Sequence, residues 1–324
     1  MTHSLGIDVS KEKLDIGLYF PDKRMLTGQF TNNLAGFKKL ETWASKKGAA
    51  DFSVCLEATG RYSEPLAEYF FHRGYQTHVV NPARTKAYRN SLQIRDKTDK
   101  IDGQIIAQFG ATQPLTQWQP PTDHQREIKE ISRHLDALKK DRTRVKNRLQ
   151  SGVRSSLIIA KLTQQLEFFN TQIKELEEQL ITLTKTDEST SEEFKVLCSI
   201  KGFGELTAAS IIAETEGFTY FEHASQVVSH AGLSPTKYES GSSVSRQSRI
   251  SKTGNKRLRT LLYMPALSAI QHNPVIRKMA KRMEQNGKPP KVIICAAMRK
   301  LLVIAFTLVR KRELFDPQFS ANHS

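Results

Sequence analysis

The stretch that most constrains this chain is Leu5–Phe20, LGIDVSKEKLDIGLYF. Apolar Leu5, Ile7 and Val9 alternate with Gly6, Asp8 and Ser10, the period of a β-strand. The polar run from Ser10 to Lys13 predicts a turn, and Leu14–Phe20 a second strand. Asp8 therefore falls inside an apolar strand. A carboxylate there is costly unless a cation or a donor compensates it. Two readings stand: an Asp at the fraying end of a strand, and a metal ligand held on a rigid sheet. Other carboxylates converging on Asp8 would favour the second.

The rest of the first 110 residues reads as one α/β domain. Pro21–Arg24 makes a turn and Met25–Thr31 a third strand. Asn33–Lys47 has helical spacing at Leu34, Phe37, Leu40 and Trp43. Asp51–Ala58 is a short strand that ends near Glu57, before Thr59-Gly60-Arg61. Glu64–His72 reads as a helix and Gln76–Asn81 as a fifth strand. Three meandering strands, then helix, strand, helix and strand, is the order of the ribonuclease H fold. A doubly wound sheet is the alternative, but the tight turn after the second strand argues for hairpins. Next, Asp99 and Asp102 stand at i, i+3 in KTDKIDGQIIA and share one face of a helix. Either Asp alone is explained by the helix dipole. Asp8, Glu57, Asp99 and Asp102 together make an oxygen-rich set suited to Mg²⁺ and to phosphodiester chemistry.

Charge separates the C-terminal part from the rest. The chain carries a net charge of +16, which points to nucleic acid or an anionic membrane surface. Lys237–Arg312 holds 18 Lys and Arg against 2 Asp and Glu, so this segment accounts for the whole excess. Cys55, Cys198 and Cys295 show neither disulfide nor zinc spacing and suit a reducing cytosol. No apolar signal segment opens the sequence. The apolar run Val292–Val309 is interrupted by Arg299 and Lys300, and reads as a buried helix rather than a membrane span.

Pro120-Pro121 marks a break, after which Thr122 or Asp123 can cap a helix. Ile128, Ile131, Leu135, Leu138, Val145 and Leu149 form one apolar series. Leu162, Leu166, Phe169, Ile173, Leu176, Leu180 and Leu183 form another with heptad steps. A discontinuity is expected at Ser151-Gly152 or nearer Lys161. An antiparallel hairpin within one chain and a dimerisation arm fit this pattern equally. Thr184–Glu192 reads as a polar linker. In IKGFGELTAAS, Gly202 and Gly204 fit a helix-hairpin-helix whose backbone amides can meet a phosphate. Tyr238–Arg246 reads as a Gly/Ser-rich loop. Arg246, Arg249, Lys252, Lys256, Arg257 and Arg259 flank it as candidate phosphate contacts.

Taken together, GIDVSK, LEATGRY, KTDKIDGQIIA, IKGFGELTAASIIAE, AGLSP, ESG and RISKTGNKRLR resemble the DEDD insertion-sequence transposases. That family includes the pilin-gene invertase and recombinases guided by a bridge RNA. The resemblance implies a RuvC-like ribonuclease H domain over 1–121 and a coiled-coil helical segment over 122–190. Over 191–324 it implies a mostly α-helical transposase domain. It implies Mg²⁺ on Asp8, Glu57, Asp99 and Asp102, and a nucleophilic serine at Ser240, with Ser242 and Ser243 as neighbouring alternatives. Donor and target DNA, a non-coding guide RNA and a homo-oligomer, dimer or tetramer, are the implied partners. A junction-resolving endonuclease with water as nucleophile is the alternative reading. A non-enzymatic nucleic-acid scaffold is a third reading and an actin-like sugar kinase a fourth, and for the kinase the chain shows no second glycine-rich phosphate loop and leaves the basic tail without a role.

Overall fold

The computed structural model describes residues 3–58, 60–94, 98–240 and 244–317, without the side chains of residues 99, 189, 236–240 and 244–248. The chain divides into two compact units, Met1–Pro120 and Pro121–Ser324.

The first unit contains β1 (His3–Val9), β2 (Lys13–Tyr19), β3 (Met25–Thr31), α1 (Leu34–Lys46), β4 (Phe52–Glu57), α2 (Glu64–His72), β5 (Thr77–Val80), α3 (Pro82–Ser91) and α4 (Asp99–Thr112). The strands form one mixed sheet in the order β3-β2-β1-β4-β5. β1 pairs antiparallel with β2 and parallel with β4. The alternation in β1 sends Leu5, Ile7 and Val9 into a core shared with Phe37 and Leu40 of α1 and Leu66 and Phe70 of α2. The opposite face is covered by α4, with α3 packed on α4. Asn33 caps α1 by accepting from the Gly36 amide at 2.9 Å.

The α4 face has almost no side chains at its centre. Gly6 and Gly17 are direct partners across β1 and β2. A Cβ on Gly17 would lie 2.5 Å from the Gly103 carbonyl, and one on Gly6 would overlap the Ala107 backbone. A Cβ on Gly110 would meet Ser4 Oγ at 2.6 Å and Cys55 Cβ at 2.8 Å. α4 therefore runs antiparallel to β1, with its N-terminal turn at the carboxyl end of that strand.

The second unit begins with α5 (Asp123–Gln150) and α6 (Ser156–Thr186). Thr122 caps α5 through a reciprocal capping box with Gln125. The two helices form an antiparallel hairpin, with Lys139 paired to Glu177 at 2.6 Å and Arg142 donating to Asn170 at 3.1 Å. Their apolar series meet at the seam, where Ile128, Leu135, Val145, Leu162, Ile173 and Leu180 are buried. Next come α7 (Glu188–Ser199), α8 (Glu205–Thr215), α9 (Ala224–His230), β6 (Pro235–Ser240), β7 (Val244–Ile250), α10 (Lys256–Leu261), α11 (Tyr263–His272), α12 (Pro274–Gln285) and α13 (Pro290–Lys311). By length and composition α13 could cross a membrane, but it packs against α7, α9, α11 and α12.

Two expectations are corrected here. The polar linker at 184–192 is helix on both sides of Asp187, because the hydroxyls that suggest a linker are satisfied internally. Buried Thr184 donates to Leu180 O at 2.7 Å, and buried Thr190 to Thr184 O at 2.9 Å. Of the loop expected over 238–246, residues 238–240 and 244–246 are instead strand, in the antiparallel pair β6 with β7, and 241–243 lie outside the described residues.

Glu193 on α7 lies against Gly217, where a Cβ would overlap its carboxylate. Its Oε2 is buried without a hydrogen-bond partner among the described residues. Burial, reinforced by Asp187 and opposed by Arg312, pushes its pKa up to about 7. A carboxyl protonated more readily in the folded chain contributes most stability below the unfolded value, and loses it as pH rises toward 7. Glu193→Gln is expected to change little near pH ~5 and to stabilise near pH ~8 by on the order of 1–3 kcal/mol. Urea unfolding at both pH values measures this, and an equal effect at both would exonerate the carboxyl. Gly6→Ala is expected to cost about 3 kcal/mol, because backbone atoms of α4 must yield. Gly204→Ala, in open space, is expected to cost under ~1 kcal/mol. Equal urea midpoints for the two variants would refute the close-crossing argument.

Candidate active site

Asp8 lies two residues beyond Gly6, so the period of the strand puts it on the α4 face. The last parallel pair of β1 and β4 is Ile7 with Leu56. Asp8 and Glu57 are the next residue on each strand, and Glu57 shares its face with Cys55, the partner of Gly6. α4 enters over this edge with Asp99 as its first residue and Asp102 one turn in. Thr98 caps it, accepting from the Ile101 amide at 3.3 Å. The sheet register and the line of α4 thus bring all four positions to the carboxyl end of β1 and β4.

Three neighbours escaped the sequence reading. Asp15 is the cross-strand partner of Asp8 and is buried. Gln29 Nε2 donates to it at 2.8 Å and Lys13 Nζ stands at 3.5 Å, so its charge is compensated on the spot. Thr85 Oγ1, on α3, donates to Glu57 Oε1 and also lies 3.0 Å from Pro82 O. Arg89, also on α3, forms an ion pair with Asp102. α3 is fixed for this by Tyr88 edge-on to Phe109 of α4, with ring centroids 5.4 Å apart, and by Arg84 over the same ring at 5.3 Å. The one signal for α3 was Asn81-Pro82, a cap and an N1 proline. Cys55 shares this face, but burial pushes its thiol up to about 12, which keeps it protonated.

The donor set is oxygen-only and stands at one edge, which suits a hard divalent cation. Among the described residues, no three acidic, histidine or cysteine side chains are close enough to hold a metal ion; the Asp99 carboxyl group is not among them. Arg89 and Thr85 occupy Asp102 and Glu57 as the structure stands.

The second unit disposes of its candidates differently. Ser240 is the last residue of β6, paired through the backbone with Val244. Ser242 and Ser243 lie outside the described residues, as does the side chain of Arg246. Gly202 has φ +115°, and a Cβ there would stand 2.8 Å from Ala269 Cβ. Its freedom serves the close contact of the α7–α8 turn with α11. Gly204 caps α8 with open space around it. Arg249, Lys252 and Lys256 are exposed. Arg257 is not a surface cation: its guanidinium reaches Glu214 at 3.5 Å, Asp136 at 3.8 Å and the Arg133 carbonyl at 3.4 Å. Arg259 donates to Ala231 O at 2.8 Å.

Residues 5–158 match a transposase family, DEDD_Tnp_IS110, and residues 194–281 match the transposase IS116/IS110/IS902 family. A pilin gene-inverting protein from Moraxella bovis is 32% identical over 315 residues, 96% of this chain and 97% of that protein. The chain belongs to the IS116/IS110/IS902 transposase family. The pilin gene-inverting protein of Moraxella lacunata is also 32% identical over the same shares. The transposase for insertion sequence element IS1111A of Coxiella burnetii is 25% identical over 305 residues, 83% of this chain and 78% of that one. This transposase thus joins a family of insertion-sequence transposases and DNA invertases, enzymes that cut and rejoin DNA.

Glu214 is buried, with Arg257, Arg133 and Asn255 as its partners. Arg257→Ala should therefore act on folding, costing about 1–3 kcal/mol by leaving Glu214 short of compensation. Its effect on the salt dependence of DNA binding should be negligible. Urea unfolding and a salt titration read the two effects, and a stable variant with a shallower salt slope would return Arg257 to the surface.

Proposed function

We propose that this transposase is a site-specific DNA recombinase whose first unit is a RuvC-like ribonuclease H domain. What supports this reading is that positions 8, 57, 99 and 102 lie along one edge of a sheet ordered β3-β2-β1-β4-β5. Asp8 and Glu57 on the strands, with Asp99 and Asp102 on α4, are the residues that would hold Mg²⁺. A bound divalent cation there supplies Lewis-acid stabilisation of the charge that builds on phosphate oxygens. Arg89 and Thr85 hold Asp102 and Glu57 in place until they are engaged.

Ser240 is the nucleophile in this reading. Its oxygen bonds to phosphorus as the hydroxyl proton leaves, and the displaced strand-end oxygen takes up a proton. The phosphoserine ester conserves the bond energy, so the reverse attack rejoins DNA without an external source. The α5–α6 hairpin serves as a coiled-coil arm for a dimer or tetramer. Exposed Leu157, Ile158 and Phe168 on α6 support an oligomeric role. The family resemblance adds donor and target DNA in the cytoplasm, with a non-coding RNA choosing the sites.

Asp8→Asn, Glu57→Gln, Asp99→Asn and Asp102→Asn should each reduce cleavage of insertion-sequence end DNA by at least ~100-fold while leaving DNA binding near wild type. A residue whose variant still cuts at the wild-type rate leaves the set. Denaturing gels of the reaction should show a DNA–protein adduct that Ser240→Ala abolishes. Cleavage without any adduct, undiminished in Ser240→Ala, would instead establish hydrolysis by water and a junction-resolving nuclease.

A further inference from the structure

The excess charge of the last quarter must act somewhere, and two of its arginines are withdrawn from the surface by Glu214 and Ala231. α12 is where the remainder is most concentrated. It buries Ile276 and Ala280, and it packs against α11 and α13. Arg277, Lys278, Lys281 and Arg282 are all exposed. At i, i+1, i+4 and i+5 they form one stripe. Lys288 and Lys291, in the following loop and first turn of α13, are exposed as well. Glu284 is the single acidic residue across 274–300, against eight Lys and Arg. Among the described residues no ion pair engages any of the four stripe cations.

A basic amphipathic helix can also lie on a membrane, with its apolar face in lipid. That use is closed to α12, whose apolar face is already in the protein core. What remains outside is cationic, held on a rigid helix. Arg277 to Arg282 spans about 8 Å along the axis, over which one strand of a duplex presents two to three phosphates.

We propose that the α12 stripe, with Lys288 and Lys291, docks the phosphodiester backbone of a DNA duplex, the substrate that the transposase family implies. The inference rests on the recombinase reading above and adds a surface that the glycine turn and the β6–β7 hairpin do not provide. Such contacts orient the duplex and do not read its bases.

The test is binding measured in EDTA, without cleavage, by fluorescence anisotropy over a salt series. The probes are a mixed-sequence DNA duplex and an RNA hairpin of matched length. The variant is Lys278→Gln, Lys281→Gln, Arg282→Gln and Lys288→Gln combined. A control removes four exposed lysines, Lys38, Lys39 and Lys46 of α1 and its C-cap Lys47. Four lost phosphate contacts should lower the slope of log affinity against log salt by roughly three. The control should lower it by less than ~1. A lower slope on the DNA duplex supports the proposal, and a loss confined to the RNA hairpin overturns it. An unchanged slope, or a fall no larger than the control's, overturns it while wild-type binding and cleavage leave the recombinase reading intact. Wild-type protein that binds neither probe would overturn that reading itself. A second variant, Lys281→Glu with Arg282→Glu, must weaken binding further while keeping the wild-type melting temperature. Wild-type affinity in that variant also counts against the proposal.

Discussion

The first unit depends on one close crossing, that of α4 over the bare centre of the sheet. Gly6, Gly17, Gly103 and Gly110 remove the side chains that would hold helix and strands apart. The same contact fixes the sliding position of the helix. Its carbonyl at Gly103 stands over Gly17 and its backbone at Ala107 over Gly6. The acidic first turn of α4 therefore has no freedom to drift from Asp8 and Glu57. In this unit the smallest residues position the most polar ones, and the chemistry of the edge inherits its accuracy from backbone contact.

The second unit solves a different problem, which is to fold while carrying most of the charge. Its buried carboxylate, Glu214, gathers Arg133 from α5, Arg257 from α10 and the amide of Asn255. His230 sits beside this group at 3.5 Å from Asn255, and burial holds its pKa below the ordinary range. Lys129 of α5 closes a second pair with Glu216 at 2.6 Å. These bonds tie the helical hairpin to the bundle with charge that would otherwise face outward. Other cations stay exposed, among them Arg249, Lys252 and Lys256 and those of α12 and α13.

Much of this was legible in the sequence, for identifiable reasons. β1 to β3, α1, β4, α2 and β5 announced themselves because each has an apolar face with a clean period and a polar turn beside it. Where β1 and β4 end, and where α4 begins, set the positions of Asp8, Glu57, Asp99 and Asp102. α3 went unread because PARTKAYRNS is polar on nearly all sides, with only Thr85 buried; its helix is made by the Asn81 cap and contact with Phe109. Asp15 was missed because it looks like an ordinary polar position in an alternating strand. Only the register that sets it opposite Asp8 gives it meaning. Composition misled at 184–192, 238–240 and 244–246, where polar residues suggested linker and loop but hydrogen bonding made helix and strand. Net charge showed that the C-terminal region is cationic. It could not show which cations are consumed inside, because Arg257 meets Glu214 only through the tertiary fold.

The root of the β6–β7 hairpin is clamped on both sides. Ser251 N bonds to Ser234 O at 2.9 Å, Lys252 N to Gly232 O at 3.0 Å, and Asn255 N to His230 O at 2.6 Å. Asn255 then caps α10 and reaches Glu214. Further out, the strand pairing shifts register between Thr236 and Tyr238. The hairpin is thus a cantilever: anchored at its base, weakened at one point along its length, and carrying Ser240 beyond that point. The register that relates Ser240 to that base is broken once, so the placement of the serine depends on the irregularity as much as on the clamp.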